Sequence, residues 1–561
     1  MIIAKNLEKS STVRREASVE SLLSGLSVPG SAGPAAGRFA SGAGMAWGSD
    51  SERDECLLDR SLQGEGVACL AKAFQMSKTA VHAALLKTRV SRLRQANVDY
   101  IDSDEFRQKN AESVICGPAP EMSDASRERQ RDRRLFLKAS MSMAASATWL
   151  TASESATANE ETAKPSAEST VVLGFMGVNN RGAALATGFA ELPNVKIAYV
   201  CDVDSRAAGR VAEGLTKNSA NRPVIEHDFR RMLDDKHVDA IVVATPNHWH
   251  APATILACAA GKHVYVEKPC SHTPEEGELA VAAARKHDRV VNMGVQRRSW
   301  PAIKEAIDKI HAGAIGKVHY ARTWYNNRRE SIGTYQPTTP PEWLDWDLWQ
   351  GPATRRPYRE NGLHYHWHWH WHWGNGELGN NGIHALDIAR WGLNVTFPNR
   401  VTAGGGKYRH QDDQETPDTM MVTYDFPENK TITWEGLSWS PLGPDHSKFG
   451  LSFHGTEGSI VIRDPGYIVY DMQDKEVSKQ TGRAGDADHL SDFLDSIRQS
   501  RRPSADIEEA HRSTLLCHLG NIAYRSRAAL DLEPANGHIK NLTNAQNGWT
   551  KEYEAGWTPV V

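Results

Sequence analysis

At 561 residues the chain is longer than one hydrophobic core ordinarily serves, so several domains are expected. Hydrophobic residues make up 40% and charged residues 24%, the balance of a folded globular protein, and a formal net charge of -4 excludes a global basic field for nucleic acid. No uninterrupted apolar run reaches the roughly 18 residues of a membrane span, and the 7 cysteines form no CxxC pair, so Cys201, Cys258, Cys270 and Cys517 read as buried thiols.

Residues 1–56 are rich in Ser, Gly and Ala and are expected to be disordered. Residues 57–106 read as a small helical segment. Two short apolar-periodic stretches flank a tight turn, with Ser77 as N-cap of the second and a basic stretch from Lys87 to Arg94. This segment resembles the helix-turn-helix of RNA polymerase sigma factors. Residues 122–169 follow with Arg133-Arg134-Leu135-Phe136-Leu137-Lys138, a mildly apolar Ala-rich stretch and a polar linker. They resemble a twin-arginine export signal, with Asp132 where Ser or Thr is usual. Met122 lies just upstream, so the native product is expected to start there and to be periplasmic or exported; otherwise it is cytoplasmic. N-terminal sequencing that finds residues 1–121 retained would refute that start.

From 170 to 295, strands at 171–177, 196–203, 240–246, 263–269 and 289–294 alternate with helices at 182–191, 205–215, 251–260 and 274–287. Near-continuous Val/Ile/Ala strands between helices predict a parallel sheet covered on both faces, a Rossmann domain. Beyond residue 315 the strands lengthen and alternate with period two. Residues 296–535 therefore predict an α+β substrate and oligomerisation domain with a large open, mostly antiparallel sheet, followed by a tail at 536–561. The helix-rich stretch 487–529 is expected to pack back on the core, and a homo-oligomer is expected.

The first strand runs into Gly174-Phe175-Met176-Gly177-Val178-Asn179-Asn180-Arg181-Gly182. Gly174 permits a tight turn, Gly177 lets the backbone approach a pyrophosphate, and the helix beginning near Gly182 offers N–H groups and a positive dipole end. Asp202 ends the second strand, 20 residues after Gly182. A carboxylate there suits the ribose hydroxyls and repels a 2′-phosphate, so NAD is the expected cofactor. Thr245, Asn247 and His250 follow the next apolar strand, at the sheet edge where such folds bind ligands.

ATPNHWH at 244–250, Glu267-Lys268-Pro269, and GNNGIHALDIARWG at 379–392, in this order and spacing, resemble the glucose–fructose oxidoreductase / inositol dehydrogenase (Gfo/Idh/MocA) family over about residues 171 to 535. The resemblance implies a nicotinamide cofactor and a sugar or polyol substrate. It assigns Lys268 to the substrate hydroxyl, where an ammonium stabilises a developing alkoxide, and His384 to proton exchange. Asp387, one turn on, is expected to orient His384 and to sit by the substrate. Many members have aspartate where this chain has Asn380, which can hydrogen-bond but cannot take a proton; Asn380 is expected to position the ring. Gln296, Arg297 and Tyr325 stand where the family binds nicotinamide amide and sugar hydroxyls.

The same motifs, with the export-like segment, also resemble glycoside hydrolase family 109, which implies transient oxidation, elimination and no net redox change. That resemblance implies cofactor contacts from Asn180, Arg181, Asp202, Asn247, His250, Glu267, Lys268 and Gln296, and a sugar contact from Tyr325.

Residues 364–373 alternate His with Tyr or Trp, five imidazoles and five aromatic rings. As a strand, this run would put imidazoles on one face and aromatics on the other. An aromatic surface for packing or sugar stacking is expected, rather than a zinc or copper site.

Overall fold

In the computed structural model, which describes residues 169–217, 222–543 and 548–561, the first apolar runs pair as a six-stranded sheet in the order β3-β2-β1-β4-β5-β6. The strands are β1 (Val171–Met176), β2 (Val195–Cys201), β3 (Val224–Glu226), β4 (Ala240–Val243), β5 (His263–Val266) and β6 (Val291–Met293), and every pairing is parallel. The apolar residues of the central strands are largely buried on both faces, while Val224 and Ile225 of edge strand β3 are exposed, because helices cover the middle of the sheet: α1 (Arg181–Ala190), α2 (Ser205–Lys217), α3 (Arg230–Asp234), α4 (Asn247–Ala259) and α5 (Pro274–Lys286). Strand order reverses between β1 and β4, which opens a crevice at their carboxyl ends. The disordered, helix-turn-helix-like and signal-like segments expected before residue 169 lie outside the described residues.

α5 shows how local sequence sets an element. Thr273 caps it by accepting from the Glu276 N–H, Pro274 occupies its first turn, and Glu275 and Glu276 face its positive end while Arg285 and Lys286 face its negative end. α4 behaves differently. It starts at Asn247 rather than 251 and contains Pro252. Tertiary bonds override the weak local preference there: the Trp249 indole N–H donates to Trp349 O at 2.9 Å.

After α6 (Pro301–His311) the chain builds a nine-stranded sheet in the order β14-β13-β12-β11-β7-β10-β9-β8-β15. β7 (Val318–Asn326), β9 (Thr419–Phe426), β10 (Lys430–Leu437), β11 (Phe449–Gly455) and β12 (Ser459–Arg463) fall where period-two alternation places them. β8 (Arg400–Gly406), β13 (Gly466–Tyr470), β14 (Glu476–Gln480) and β15 (Leu530–Asp531) are additional; β8 ends in three glycines and β14 is exposed throughout, so neither shows an alternating apolar face. All pairings are antiparallel except β10 with β7. On β9, Met420, Val422, Tyr424 and Phe426 face inward while Met421 is exposed. They pack against α8 (Ile383–Leu393) and α10 (Ile507–Ser526).

The two sheets share their cores through the end of the chain. α9 (Asp486–Gln499) inserts Leu490, Phe493, Leu494 and Ile497 among Leu173, Phe175 and Phe189 of the first domain. Each such buried side chain contributes about 1.5–3 kcal/mol. The final segment also docks, with Trp557 edge-on to Trp249 at 5.0 Å and Lys551 paired with buried Glu276 at 2.6 Å.

A further stretch, residues 343–350, crosses from the second domain to the end of β2. Ser205 N donates to Trp343 O and Asp345 N to Val203 O, both at 3.1 Å, and the Arg206 guanidinium lies 3.3 Å from the Trp343 ring centroid. α7 (Trp346–Gln350) then stacks Trp346 on Trp349 at 4.7 Å within an aromatic cluster that includes Tyr358, Trp367 and Trp373.

Candidate active site

The crevice at the strand-order reversal is a groove of about 490 Å³, floored by the carboxyl ends of β1, β2, β4 and β5 and walled by the second domain. Its first turn requires glycine twice. Gly177 has φ +79°, and a Cβ on Gly182 would lie 1.9 Å from Gly177 O. Gly182→Ala is therefore expected to weaken NAD affinity roughly tenfold or more, as overpacking of about 1–3 kcal/mol would; fluorescence titration with NAD checks this, and unchanged affinity would remove the turn from the cofactor site. Gly174 lies within β1, while Asn180 and Arg181 line the groove.

Asp202 lines the groove at the end of β2, and its oxygens accept the Val178 N–H at 2.7 Å and the Asp204 N–H at 2.9 Å. Burial pushes its pKa up against these two bonds. Glu267 organises the centre. It accepts from Arg181 Nε at 2.9 Å, Gln296 Nε2 at 3.2 Å and Lys268 N at 3.2 Å. A Cβ on Gly294 would come within 2.7 Å of its carboxylate. Burial opposes ionisation of Glu267, but Arg181 and Lys268 outweigh it and hold the carboxyl below its ordinary range.

Thr245 lines the groove with its hydroxyl unpartnered. His250 lies between Pro269 O (Nδ1, 2.6 Å) and Thr245 O (Nε2, 2.8 Å), tying two loops together. Burial lowers its pKa, so a neutral ring donates to one carbonyl at a time. Asn247 is buried at the start of α4, outside the groove lining.

Lys268 and Asn380 meet across 112 residues. Lys268 Nζ donates to Asn380 O at 2.8 Å and to Asn380 Oδ1 at 2.9 Å, and Asn380 Nδ2 donates to the Tyr365 hydroxyl at 3.0 Å. Asn380 presents both oxygens because residues Leu378–Gly382 form a single π-helical turn, a local widening that re-aims side chains. Burial lowers the Lys268 pKa, partly offset by Glu267. His384 lines the same cavity, 9% exposed, with Nδ1 lacking any partner. Burial, then Arg297, Lys268 and Arg181, drive its pKa well below the ordinary value, so it is a neutral base at pH 7.

These directions set a pH expectation. Activity that needs the Lys268 ammonium is lost as pH rises through a pKa below 10.5. Activity that needs neutral His384 is lost only as pH falls through a pKa well below 6.5. The kcat/KM profile should show no acid limb near pH 6.5 and should fall on the basic side below pH 10.5; an acid limb at or above pH 6.5 would contradict this assignment of the base.

Asp387 does not orient His384. Its carboxylate is held by Arg298 at 2.7 and 2.9 Å and by the Ser513 hydroxyl at 2.6 Å, away from the groove. The spacing of three residues puts Asp387 on the helix face of His384, but a bidentate arginine on another element takes it. Arg297 lines the groove, paired with Asp464 and 4.0 Å above Phe449. Tyr325 is not among the groove residues; its hydroxyl accepts from Asn327 Nδ2 at 3.0 Å.

The His/Trp run is not a strand. Residues His366–Trp369 form a 3₁₀ turn, and His368 stacks on its neighbour Trp367 with centroids 3.5 Å apart. The rings serve different partners: Trp367 and Trp373 join the aromatic cluster, while Trp369 lies under Arg329 at 4.7 Å. No partner strand is beside the run, so period-two alternation has nothing to register against. Among the described residues no group of three or more His, Cys, Asp or Glu is placed to hold a metal. The run does bring Tyr365 and His368 into the groove, two residues that the alternation alone did not single out. Arg329 braces this corner through Glu377, at 2.6 Å.

A model described as an oxidoreductase family with an NAD-binding Rossmann fold matches residues 171–295, and its companion for the C-terminal alpha/beta domain matches residues 323–558. A glycosyl hydrolase family 109 protein of Shewanella sp. (strain ANA-3) is 33% identical over 159 residues, 26% of this chain and 35% of that protein. An alpha-N-acetylgalactosaminidase of Shewanella oneidensis is 30% identical over the same coverage, 26% and 35%. The chain thus spans about a third of the length of these curated relatives. A levoglucosan dehydrogenase solved with NADH and levoglucosan is similar in fold, with TM-score 0.52 and 19% identity over 64% of this chain and 99% of that one.

Proposed function

The chain belongs to the Gfo/Idh/MocA oxidoreductase family, and from that premise we propose that it is an NAD-dependent oxidoreductase acting on a sugar or polyol. The observation that supports this most is the buried ammonium of Lys268, fixed by both oxygens of Asn380 in the groove that His384 also lines. The glycine turn, Asp202 and Glu267 with its donors fit a dinucleotide along the groove. When bound, NAD supplies a hydride acceptor.

The chain's own residues do the rest. Lys268 stabilises negative charge on the substrate oxygen, more strongly than in water because it is buried. His384 takes the hydroxyl proton. Asn380 fixes Lys268 and, through Tyr365, the wall on which the sugar ring rests. Arg297 and His368 supply hydrogen bonds at the rim. Export through the twin-arginine route and self-association as a homo-oligomer are part of the same proposal.

One observation favours a second reading, NAD-dependent glycoside cleavage without net redox change. The side chain beside Lys268 is an amide, which cannot exchange a proton, and curated relatives named glycosyl hydrolase family 109 match the chain. Purified protein given free aldoses and polyols, and separately aryl glycosides, distinguishes the two. Net NADH from the free sugars supports the first; aglycone release with no net NADH replaces it with the second. Neither signal would overturn both.

A further inference from the structure

Behind the His/Trp run lies a second cavity of about 310 Å³, separate from the groove. That is at the lower end of small-molecule pockets, roughly 300–1,000 Å³. His364, Tyr365, Trp367 and His368 line the groove and Trp371, His372, Gly374 and Asn375 line this cavity, so one segment divides them.

The cavity lining has polar groups without partners. Asn375 is 6% exposed; its Nδ2 donates to His272 O at 3.0 Å, but its Oδ1 has no partner. The Arg525 guanidinium lies over the Trp371 ring at 5.1 Å. Among the described residues, neither Arg525 nor Glu552, both exposed at the rim, has an ion-pair partner. Lys551 is different: Glu276 at 2.6 Å and His272 at 3.2 Å already occupy it.

An arginine whose carboxylate neighbour Glu415 acts only at a distance, a carboxylate without an ion pair, a buried orphan acceptor and an indole form a balanced set. An anion would be repelled by Glu552 and a cation by Arg525. A hydroxyl donates and accepts at once, so a polyhydroxylated molecule satisfies all of them. Placement adds a consequence. Asn375 O accepts from Gly379 N at 3.3 Å and from Asn521 Nδ2 at 2.9 Å. Gly379 belongs to the π-helical turn that presents Asn380 to Lys268.

We propose that this cavity is a second binding site for a neutral sugar or polyol, positioned to steady the turn that holds Lys268. The site stands whichever reaction the groove performs. The probe is D-glucose, soaked into crystals of the full chain and titrated by ligand-observed NMR against the Lys268→Met protein. Density is expected in both cavities. Arg525→Ala, at an exposed position that melting curves can confirm as folded, should weaken glucose binding about tenfold, the effect of losing a charged hydrogen bond. Glu552→Gln should act in the same direction.

Density confined to the groove would overturn the proposal. So would glucose affinity unmoved by Arg525→Ala. Gluconate binding more tightly than glucose, with the excess lost in Arg525→Ala, would overturn the neutral class.

Discussion

Replacing Lys268 by Met is expected to lower kcat/KM by about a thousandfold or more, the effect of removing a preorganised charge from a transition state. Met keeps an unbranched apolar stem one atom shorter than that of lysine, so most of the packing around residue 268 should survive. What is lost is the ammonium and its bonds to Asn380 O and Oδ1. The melting temperature should fall modestly, because the desolvation relieved with the lysine is offset by two Asn380 oxygens left without that donor. NAD affinity should also persist, since the glycine turn, Asp202 and Glu267 remain. Steady-state kinetics beside a cofactor titration gives the answer. Activity within about tenfold of wild type would refute the catalytic assignment.

The largest stability effect is expected from Asp387→Asn. Arg298 is 6% exposed and Asp387 1% exposed, and the amide leaves the guanidinium buried with Glu509, 4.0 Å away, as the remaining carboxylate. Breaking such a pair costs about 3–5 kcal/mol. Urea denaturation should therefore show a drop of about 3 kcal/mol. Activity per folded molecule should stay within about twofold, because the carboxylate faces away from the groove and carries none of the charge that stabilises a transition state. A large fall in kcat with unchanged stability would return Asp387 to the active site.

This pair of residues also shows where the sequence was legible. Lys268 stands where an apolar strand ends, in a sheet whose adjacent strands carry the glycine turn and Asp202, and the family resemblance of the ordered motifs gives it its expected role. Local period and spacing place it at the sheet edge, and the resemblance supplies its role. Asp387 could not be assigned in that way. Its partner Arg298 lies 89 residues away, and spacing along a helix says which face a residue occupies, not which other element meets that face.

The His/Trp run failed for a related reason. Alternation predicts a strand only if another strand pairs with it, and here the rings are distributed among an aromatic cluster, an arginine and the groove. Tyr365 gained its place because a π-helical turn 15 residues on carries Asn380 to its hydroxyl. The two sheets themselves were readable, since burial on two faces and burial on one leave different periodicities. The glycine-rich β8 and the exposed β14 were not, because neither shows an alternating apolar face.

The crossing of residues 343–350 over the end of β2 bears on one half of the groove. Leu348, Trp349 and His364 roof the half of the groove beside Asp202, and backbone bonds to Val203 and Ser205 hold that roof shut. On the proposed function these bonds lie at the dinucleotide half of the groove, beside Asp202, and away from the Lys268 end where the sugar would sit.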